Sequence, residues 1–438
     1  MPIVGVAVIN TPTNTHATVV SAPITRPRSI HALMRNSLAV AGSEANHRVP
    51  IGRVAPRPGP EIRDYRGGMS REASSTSPHR ARRDRLRDAL SDVDAVLVTD
   101  LVNVRYLSGF TGSNGAVLVW AEPGEQRRDA ISTDGRYTVQ VGEQAGDLPL
   151  VPGRAVASVL LQEAAGAGAR RVAIEADSVT VAADAALREA VPDVDLVAST
   201  GLVERLREVK DPGEVDAIAA ACAVGDAALA QLIAAGAIAP GRTEREVARD
   251  LEWAMYAHGA AAIAFETIVA AGANSAVPHH RPTDALLAEG DFVKIDFGAV
   301  VDGYHSDMTR TFVLSHEQPW QREIYELVAR AAQAGREAAR AGVRAADVDA
   351  AARAVIADAG HGEDFVHGLG HGLGLQIHEA PSVGATAAGT LLDGAVVTVE
   401  PGVYLPGRGG VRIEDTVVVS DGPCRILTAA DRTFTVLD

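Results

Sequence analysis

Residues 292–311 read FVKIDFGAVVDGYHSDMTRT, and this stretch decides the fold of the second half of the chain. The apolar run before Asp296 predicts a buried strand, residues 301–303 predict a turn, and the following residues predict a returning strand. Such a hairpin brings Asp296 and Asp307, eleven residues apart, close together. Two carboxylates on facing strands repel each other unless a positive group lies between them. Alternatively, both are solvated residues at strand ends or in turns.

A glycine-rich stretch supplies candidate histidines. Residues 367–379 read HGLGHGLGLQIHE and contain His367, His371 and His378. Glycine at every second position removes side chains and lets a histidine approach a ligand or another backbone closely. Neutral imidazole is the commonest metal ligand. The pattern is not H-E-x-x-H, because Ser382 stands where the second histidine would be. Packing is the alternative role for these histidines.

Two glutamates complete the candidate set. Glu400 and Glu414 lie within apolar strand patterns, where an unpaired carboxylate is costly to bury. Arg412 offers one partner, but one arginine does not neutralise two glutamates. With His371 and the two aspartates, the set is one nitrogen and four carboxylates, which suits Mn²⁺, Co²⁺ or Zn²⁺ better than a structural zinc site. Aminopeptidases use two-metal sites, in which a bound water loses its proton near neutral pH and attacks a carbonyl.

Composition along the chain predicts two domains after an extension. Residues 1–78 are rich in Pro, Ser, Thr, Arg and Gly and lack periodicity, which predicts a disordered N-terminal extension. Its first 43 residues contain no acidic residue and faintly resemble an organelle transit peptide, and Met69 is an alternative start. In residues 79–208, strands alternate with helices, which predicts an α/β domain. In residues 209–438, helices interspersed with antiparallel hairpins predict an α+β domain.

The individual elements follow from apolar periodicity and capping patterns. The predicted strands cover residues 95–99, 116–120, 129–133, 171–175, 263–270, 292–298, 307–314, 396–400 and 411–419. The predicted helices cover residues 80–91, 155–167, 211–236, 319–341 and 347–359, with another that begins at a Thr243/Glu246 capping box. The Gly-rich loop at residues 109–115 is predicted to be a turn between two strands.

Charge and cysteine content exclude several classes of function. The net charge is −15, and residues 1–78 contain nine arginines against four acidic residues, so the body of the chain is strongly acidic. An acidic body argues against a nucleic-acid partner, because such binding requires Lys and Arg to replace phosphate counterions. Two cysteines suit a reducing compartment. We find no apolar run typical of a membrane span or secretory signal, and we expect a cytoplasmic protein.

Lysine is nearly absent from the sequence. The only two lysines are Lys210 and Lys294, and neither lies in a Gly-Lys-Ser/Thr motif, which excludes a phosphate-binding P-loop. Lys210 marks the junction between the predicted domains. Lys294 lies two residues before Asp296, hence on the same face of its strand. It is either a cation near the carboxylates or a strand-end lysine that reaches solvent.

Residues 79–438 resemble the aminopeptidase P and prolidase branch of the pita-bread metallopeptidases. The resemblance implies an α+β fold, with a C-terminal pita-bread (creatinase/aminopeptidase) catalytic domain after a smaller α/β creatinase-type N-terminal domain. The motifs that carry it are IDFG at 295–298, HSDMTRT at 305–311, GHG at 370–372, EPG at 400–402 and RIED at 412–415, with VRYLSGFTGSNG at 104–115 in the N-terminal half.

The resemblance implies a role for each metal-ligand position. Asp296 is expected to bind one metal, and Asp307 and Glu414 to bridge both. His371 and Glu400 are expected to hold the other metal, with Glu400 also transferring the proton. The implied cofactor is two divalent ions per chain, with Mn²⁺ as first choice and Co²⁺ or Zn²⁺ as alternatives.

The resemblance also implies substrate contacts. His279 is expected to line the substrate pocket, and His378 to donate a hydrogen bond to the developing oxyanion. Arg412 is expected to support Glu414 or to contact substrate. His280 is the neighbour of His279 and an alternative to it, and His367 is expected to lie behind the ligands.

The implied activity is that of an Xaa-Pro aminopeptidase. It hydrolyses the bond between an N-terminal residue and a following proline by means of a metal-bridging hydroxide. A prolidase restricted to dipeptides is the alternative within the class. A metal-free binding protein, or a non-peptidase hydrolase on the same fold, is the alternative from another class, and substitutions at the five ligand positions would mark it; the sequence has none. The family also implies a homodimer.

Overall fold

The computed structural model describes residues 77–438. The prediction of a disordered extension therefore lies outside the described residues, except for Ser77 and Pro78. The helices are α1 Pro78–Asp88, α2 Leu101–Ser108, α3 Thr138–Gln144, α4 Val156–Gly166, α5 Val181–Ala190, α6 Glu204–Glu208, α7 Pro212–Ala234, α8 Glu244–Ala257, α9 Pro319–Ala338 and α10 Ala345–Asp358, with 3₁₀ turns at Gly272–Ala276 and Gly362–Asp364.

The strands of the first half are β1 Ala95–Val98, β2 Gly115–Trp120, β3 Ala130–Thr133, β4 Leu150–Pro152, β5 Arg171–Glu175 and β6 Asp195–Ser199. The strands of the second half are β7 Ala262–Ile263, β8 Ile268–Ala271, β9 Phe292–Phe297, β10 Ala299–Val301, β11 Tyr304–His305, β12 Met308–Leu314, β13 Gly370–Gly372, β14 Glu379–Val383, β15 Val396–Val399, β16 Gly402–Leu405, β17 Gly409–Arg412, β18 Asp415–Val418, β19 Arg425–Ile426 and β20 Val436–Leu437.

The first half is built on one mixed six-stranded sheet in the order β4-β3-β2-β1-β5-β6. Both faces of its central strand are buried: Val96 and Val98 pack into one apolar cluster, and Ala95 and Leu97 pack into another. A strand buried on both faces requires a continuous apolar run. This explains why residues 95–98 read AVLV without alternation.

The Gly-rich loop of the first half differs from its prediction. It follows helix α2 rather than a strand, so it is not a turn between two strands. Asp100 caps α2 by accepting hydrogen bonds from the backbone N–H groups of Val102 and Asn103, and Gly109 ends it with φ of 79°. The capping aspartate and the C-terminal glycine are the sequence signals for this helix.

The second half consists of sheets that are antiparallel apart from the short parallel pairing of β12 with β20, and two helix pairs cover them. Helices α7 and α8 pack on the β20-β12-β9-β8 sheet, and α9 and α10 pack on the strands of the β14-β13-β15-β18-β19 sheet. Both predicted capping boxes are present: Asp211 with Glu214 begins α7, and Thr243 with Glu246 begins α8.

Helix α7 is long and apolar enough, by length and composition alone, to cross a membrane. In this fold it is a core helix. Ile218 and Leu229 are buried in the apolar clusters of the second half, and Asp226 accepts hydrogen bonds from the backbone N–H groups of Ala429 and Ala430. Packing within the domain thus accounts for its apolar character.

The stretch at residues 292–311 forms the predicted pair of strands, in which the second strand returns alongside the first. Strands β9 and β12 pair antiparallel, with Asp296 opposite Thr309 and Met308 opposite Phe297. Asp307 lies immediately before β12 and therefore close to the end of β9 that carries Asp296. The connection is longer than a simple turn, because it contains the short strands β10 and β11.

Candidate active site

One cavity of about 260 Å³ contains most of the predicted site residues. Its residues come from the four-stranded and five-stranded sheets of the second half, from the ends of their strands, and from the segment between β8 and β9. The cavity is lined by Phe265, Glu266, Ile268, His279, His280, Arg281, Asp296, Asp307, His371, Ile377, His378, Glu400 and Glu414. The structure therefore brings together all five predicted metal ligands and two of the three predicted substrate contacts.

Four of the five candidate ligands, Asp307, His371, Glu400 and Glu414, lie within ligand-bridging distance of a neighbour. One ligand atom from each of Asp307, His371 and Glu414 lies within 4.8 Å of the other two. His371 Nε2 is 3.5 Å from Asp307 Oδ2 and also 3.5 Å from Glu400 Oε1. These separations exceed a hydrogen bond and leave room for a cation between the groups.

The carboxylates of this cluster carry strongly perturbed acidities. Burial and the nearby Glu414 raise the pKa of Asp307 well above its ordinary value. Burial and the nearby Glu400 do the same for the pKa of Glu414. Burial, with Asp296 acting against Arg412, raises the pKa of Glu400 to about 7. Without a cation, the cluster thus holds protons that isolated carboxyls would release.

Two oxygens of the cluster have no hydrogen-bond partner among the described residues. Asp296 Oδ1 and Glu414 Oε1 are buried and unpaired. A buried carboxylate oxygen without a partner is costly, and a divalent cation supplies the missing interaction. The donor set of four carboxylates and one imidazole also suits Mn²⁺, Co²⁺ or Zn²⁺. The residues present therefore fit the implied metal centre.

The alternating glycines allow His371 to reach the cluster. A Cβ on Gly370 would collide with the carbonyl oxygen of Thr398, and one on Gly372 would collide with that of Ala380. Glycine at these positions lets β13 lie between its neighbouring strands. Burial and the nearby His378 lower the pKa of His371 to about 4, so its imidazole is neutral and available as a ligand at pH 7.

The other histidines fall into two groups. His378 and His279 line the cavity, and the His378 ring lies 4.3 Å from the His371 ring, centroid to centroid. His280 also borders the cavity, but its Nε2 lies 2.8 Å from the buried Glu244 carboxylate, which occupies that ring nitrogen. His367 Nε2 lies 2.8 Å from Tyr404 Oη. Geometry therefore favours His279 over His280 as the pocket residue.

Arg412 is predicted to support Glu414 or to contact substrate. It is buried, and the cavity lining given above does not include it. Its guanidinium pairs with Asp296 and donates to Thr309 Oγ1, the hydroxyl that in turn donates to Glu414. The structure therefore places Arg412 behind Asp296, and its support of Glu414 is indirect through Thr309; the contact with substrate stays a prediction. Arg412 lies behind Asp296 because β17 packs across β9.

The sequence did not identify several residues of the cavity wall. Phe265, Ile268 and Ile377 form apolar walls, and Glu266 and Arg281 form an exposed ion pair of 3.1 Å at the mouth. Arg281 directly follows the two histidines at 279–280, which is the only local signal for it. The apolar residues read as ordinary strand residues, so no pattern distinguishes them.

Comparison with known families identifies the fold. The model of the Creatinase/Prolidase N-terminal domain matches residues 82–209, and that of Metallopeptidase family M24 matches residues 216–421. The chain belongs to metallopeptidase family M24. The predicted fold, with a pita-bread catalytic domain after a creatinase-type domain, and the predicted metallopeptidase class are thereby confirmed. The domain boundaries and the roles of the individual site residues stay predictions.

Individual relatives of this M24 peptidase cover nearly all of the described chain. The peptidase YqhT of Bacillus subtilis is 35% identical over 79% of this chain and 96% of its own length. The structure of an Xaa-Pro dipeptidase from Bacillus anthracis is 35% identical, with a TM-score of 0.78 over 82% of this chain and 100% of that one. The structure of an X-Pro aminopeptidase from Thermotoga maritima is 33% identical, with a TM-score of 0.74 over 80% of this chain and 99% of that one.

Proposed function

We propose that this M24 metallopeptidase is an Xaa-Pro aminopeptidase, which removes an N-terminal residue that precedes proline. The observation that carries the proposal is the meeting of five candidate ligands with His279 and His378 in one cavity. The names of the similar structures support the substrate class, since they specify an Xaa-Pro dipeptidase and an X-Pro aminopeptidase.

The proposed cofactor is two divalent ions per chain, with Mn²⁺ as first choice. Asp296, Asp307, His371, Glu400 and Glu414 would hold them. When bound, such ions acidify a water molecule and polarise the scissile carbonyl. The unpaired oxygens of Asp296 and Glu414 support this assignment. A metal-free binding protein would have no need for buried, mutually repelling carboxylates, so that alternative loses its support.

The side chains of the cavity perform the remaining steps. Glu400 lines the cavity, where its carboxylate can accept a proton and return it to the departing amine. His378 donates a hydrogen bond to the substrate oxygen that becomes negative in the transition state. Burial lowers the pKa of His279, which leaves a neutral ring in the pocket wall at pH 7.

Proline at the second position fits this pocket chemically. An Xaa-Pro bond is a tertiary amide without an N–H, so a pocket needs no acceptor for that group. The pyrrolidine ring instead requires an apolar surface. Ile268, Phe265 and the neutral His279 ring supply such surfaces within the cavity.

A dipeptidase is the second candidate, supported by the name of the Bacillus anthracis relative. The deciding experiment compares an Xaa-Pro dipeptide with the matching Xaa-Pro-Yaa tripeptide on the Mn²⁺-loaded protein. We expect the tripeptide to be cleaved with a kcat/KM at least equal to that of the dipeptide. Cleavage of the dipeptide alone would replace the aminopeptidase by the dipeptidase, and cleavage of neither would refute the Xaa-Pro proposal. The homodimer and the cytoplasmic location stay proposals.

A further inference from the structure

Lys294 is buried next to the cavity residue Asp296 on β9, which excludes the alternative of a strand-end lysine that reaches solvent. Its side chain lies on β9 and has no exposed surface. Within residues 77–438, no carboxylate oxygen lies within 4.0 Å of its ammonium. Lysine is almost never fully buried without a charged partner. Such a residue in a chain with only two lysines requires a specific explanation.

The partners of Lys294 are backbone carbonyls of one segment. Its Nζ donates to the carbonyl oxygen of Val277 at 2.6 Å and to that of Pro278 at 3.1 Å, and it lies 5.0 Å from the centre of the Tyr404 ring. An amine donates these hydrogen bonds whether or not it carries the extra proton. The next residue after this pair of carbonyls is His279, which lines the cavity.

Other contacts hold the same segment from its two ends. Buried Glu244 accepts hydrogen bonds from the backbone N–H groups of Ala271 and Thr283. Glu244 also binds the side chains of Asn274 and His280. These contacts fix both flanks of the segment and leave Val277 and the two residues after it to be fixed from the β9 side. There Lys294 bonds both carbonyls, and Arg412 adds a bond of 3.2 Å to Pro278.

We propose that Lys294 is a positioning residue, which fixes the main chain at residues 277–278 so that the His279 ring faces the substrate. The inference rests on the proposed function for the role of His279 in substrate binding. The contact of Lys294 with residues 277–278, which we call the clamp, does not depend on the proposed function, because it consists of hydrogen bonds between described atoms.

The other lysine provides a matched control. Lys210 is also buried, and its Nζ lies 2.9 Å from Glu379 Oε1, next to His378 rather than His279. Glu379 keeps Arg207 as a second cationic partner. A change at Lys210 therefore removes a buried ammonium without touching residues 277–279.

The first test is a double-mutant cycle between Lys294→Met and His279→Ala in the Mn²⁺-loaded full chain. Removing a group that supports a site residue typically costs 10–100-fold, so we expect Lys294→Met to raise KM for an Xaa-Pro peptide about 10-fold. We expect Lys294→Met to change kcat less than about twofold. When Lys294→Met is introduced into the His279→Ala variant, we expect it to alter KM less than about twofold. Lys210→Met should combine additively with His279→Ala.

Two results would overturn the proposal in this test. One is additivity of Lys294→Met with His279→Ala, which would show that the lysine acts elsewhere. The other is a fall in kcat or in Mn²⁺ affinity at unchanged KM, which would place its effect on Asp296. Lys294→Gln, which keeps an N–H donor, serves the same cycle if the methionine variant does not fold.

The second test is independent of catalysis. Backbone amide exchange, followed by mass spectrometry on peptides that cover residues 272–284, should be at least about 10-fold faster in Lys294→Met than in wild type and unchanged in Lys210→Met. Equal exchange in wild type and Lys294→Met would refute the clamp. If the wild type cleaves no Xaa-Pro peptide, the proposed function fails, but the exchange result still decides whether Lys294 fixes this segment.

Discussion

Glu414 and Asp415 are adjacent in sequence and equally buried, yet their surroundings are opposite. Asp415 accepts hydrogen bonds from three arginines, Arg310, Arg336 and Arg432, at 2.7–3.0 Å, and from Thr428. Although burial alone would raise its pKa, Arg310 and Arg432 hold the pKa of Asp415 below its ordinary value.

Glu414 faces the other side of the same chain segment. It accepts one hydrogen bond, from Thr309, and its Oε1 has no partner among the described residues. Burial and the neighbouring Glu400 raise its pKa well above the ordinary value. The comparison indicates that a buried carboxylate with partners for both oxygens stabilises the fold. A buried carboxylate that lacks a partner for one oxygen and lies among like charges instead indicates a cation site.

The largest expected effect comes from Glu414→Gln. Partners one step removed from a metal typically contribute 10–100-fold, so loss of a ligand should lower kcat/KM for an Xaa-Pro peptide by more than about 100-fold. The metal-free protein should be as stable as wild type or more stable, because one repelling carboxylate is gone. Kinetics with Mn²⁺ and urea unfolding without metal measure both effects. Retained activity with reduced stability would reverse the assignments of Glu414 and Asp415.

The next largest effect is expected from Asp415→Asn. Removal of one partner from a buried ion cluster leaves uncompensated charge and typically costs about 3–5 kcal/mol. Urea unfolding should show this loss in the metal-free protein. Under conditions where the variant is folded, it should still bind Mn²⁺. A variant that is fully stable but unable to bind Mn²⁺ would place Asp415 in the metal site.

A smaller effect is expected from pH, first on the stability of the metal-free protein and then on the stability gained from Mn²⁺. A carboxyl whose pKa is raised by folding stabilises the folded state below its unfolded pKa, and this contribution is lost as pH rises through the raised value. For Asp307, Glu414 and Glu400, with the pKa of Glu400 at about 7, the metal-free protein should lose stability as pH rises from about 5 to 8.

Bound cations favour the deprotonated carboxylates, so the stability gained from Mn²⁺ should grow over the same pH range. At 100 times the Kd, one site contributes about 2.7 kcal/mol. Thermal unfolding at pH 5, 6.5 and 8, with and without Mn²⁺, measures the gain. Mg²⁺-free buffer with EDTA is the control. A gain that shrinks as pH rises would contradict the raised pKa values of these carboxyls.

The smallest effect is expected from Arg336→Met. Arg336 is the most solvent-accessible of the described partners of Asp415 after Arg432, and two arginines remain in its absence. We expect a loss of about 1.5 kcal/mol, the contribution of one hydrogen bond to a charged group. Urea unfolding checks it, with kcat/KM unchanged. A loss as large as that of Asp415→Asn would mean that Arg336 alone stabilises the carboxylate.

Much of this architecture is readable from the sequence. The AVLV run, the two capping boxes and the β9 to β12 return are local patterns, and each forms the predicted element. The ligand types also lie in short motifs, so their meeting in one cavity follows once the family fold is expected. Helix α2 was missed because its apolar residues match a strand continuing from residue 98.

The partners of buried charges are less predictable. Arg412 pairs with Asp296 across two strands, and Lys294 bonds carbonyls 16 and 17 residues earlier in the chain. Both choices depend on how sheets and loops pack, which periodicity does not report. The opposite roles of Glu414 and Asp415 have the same cause, because Glu414 lies just before β18 and Asp415 begins it, and the sequence pattern does not state which groups pack around either residue.

The most direct test of the metal centre is a titration of the metal-stripped full chain with Mn²⁺, in which bound ions per chain and hydrolysis of an Xaa-Pro peptide are recorded in the same samples. We predict no hydrolysis in the stripped protein, binding that saturates at two ions per chain, and activity that appears as they bind. Full hydrolysis in the stripped protein would contradict the assignment of the buried carboxylates as a catalytic metal site. So would a titration that ends with no ion bound to the chain.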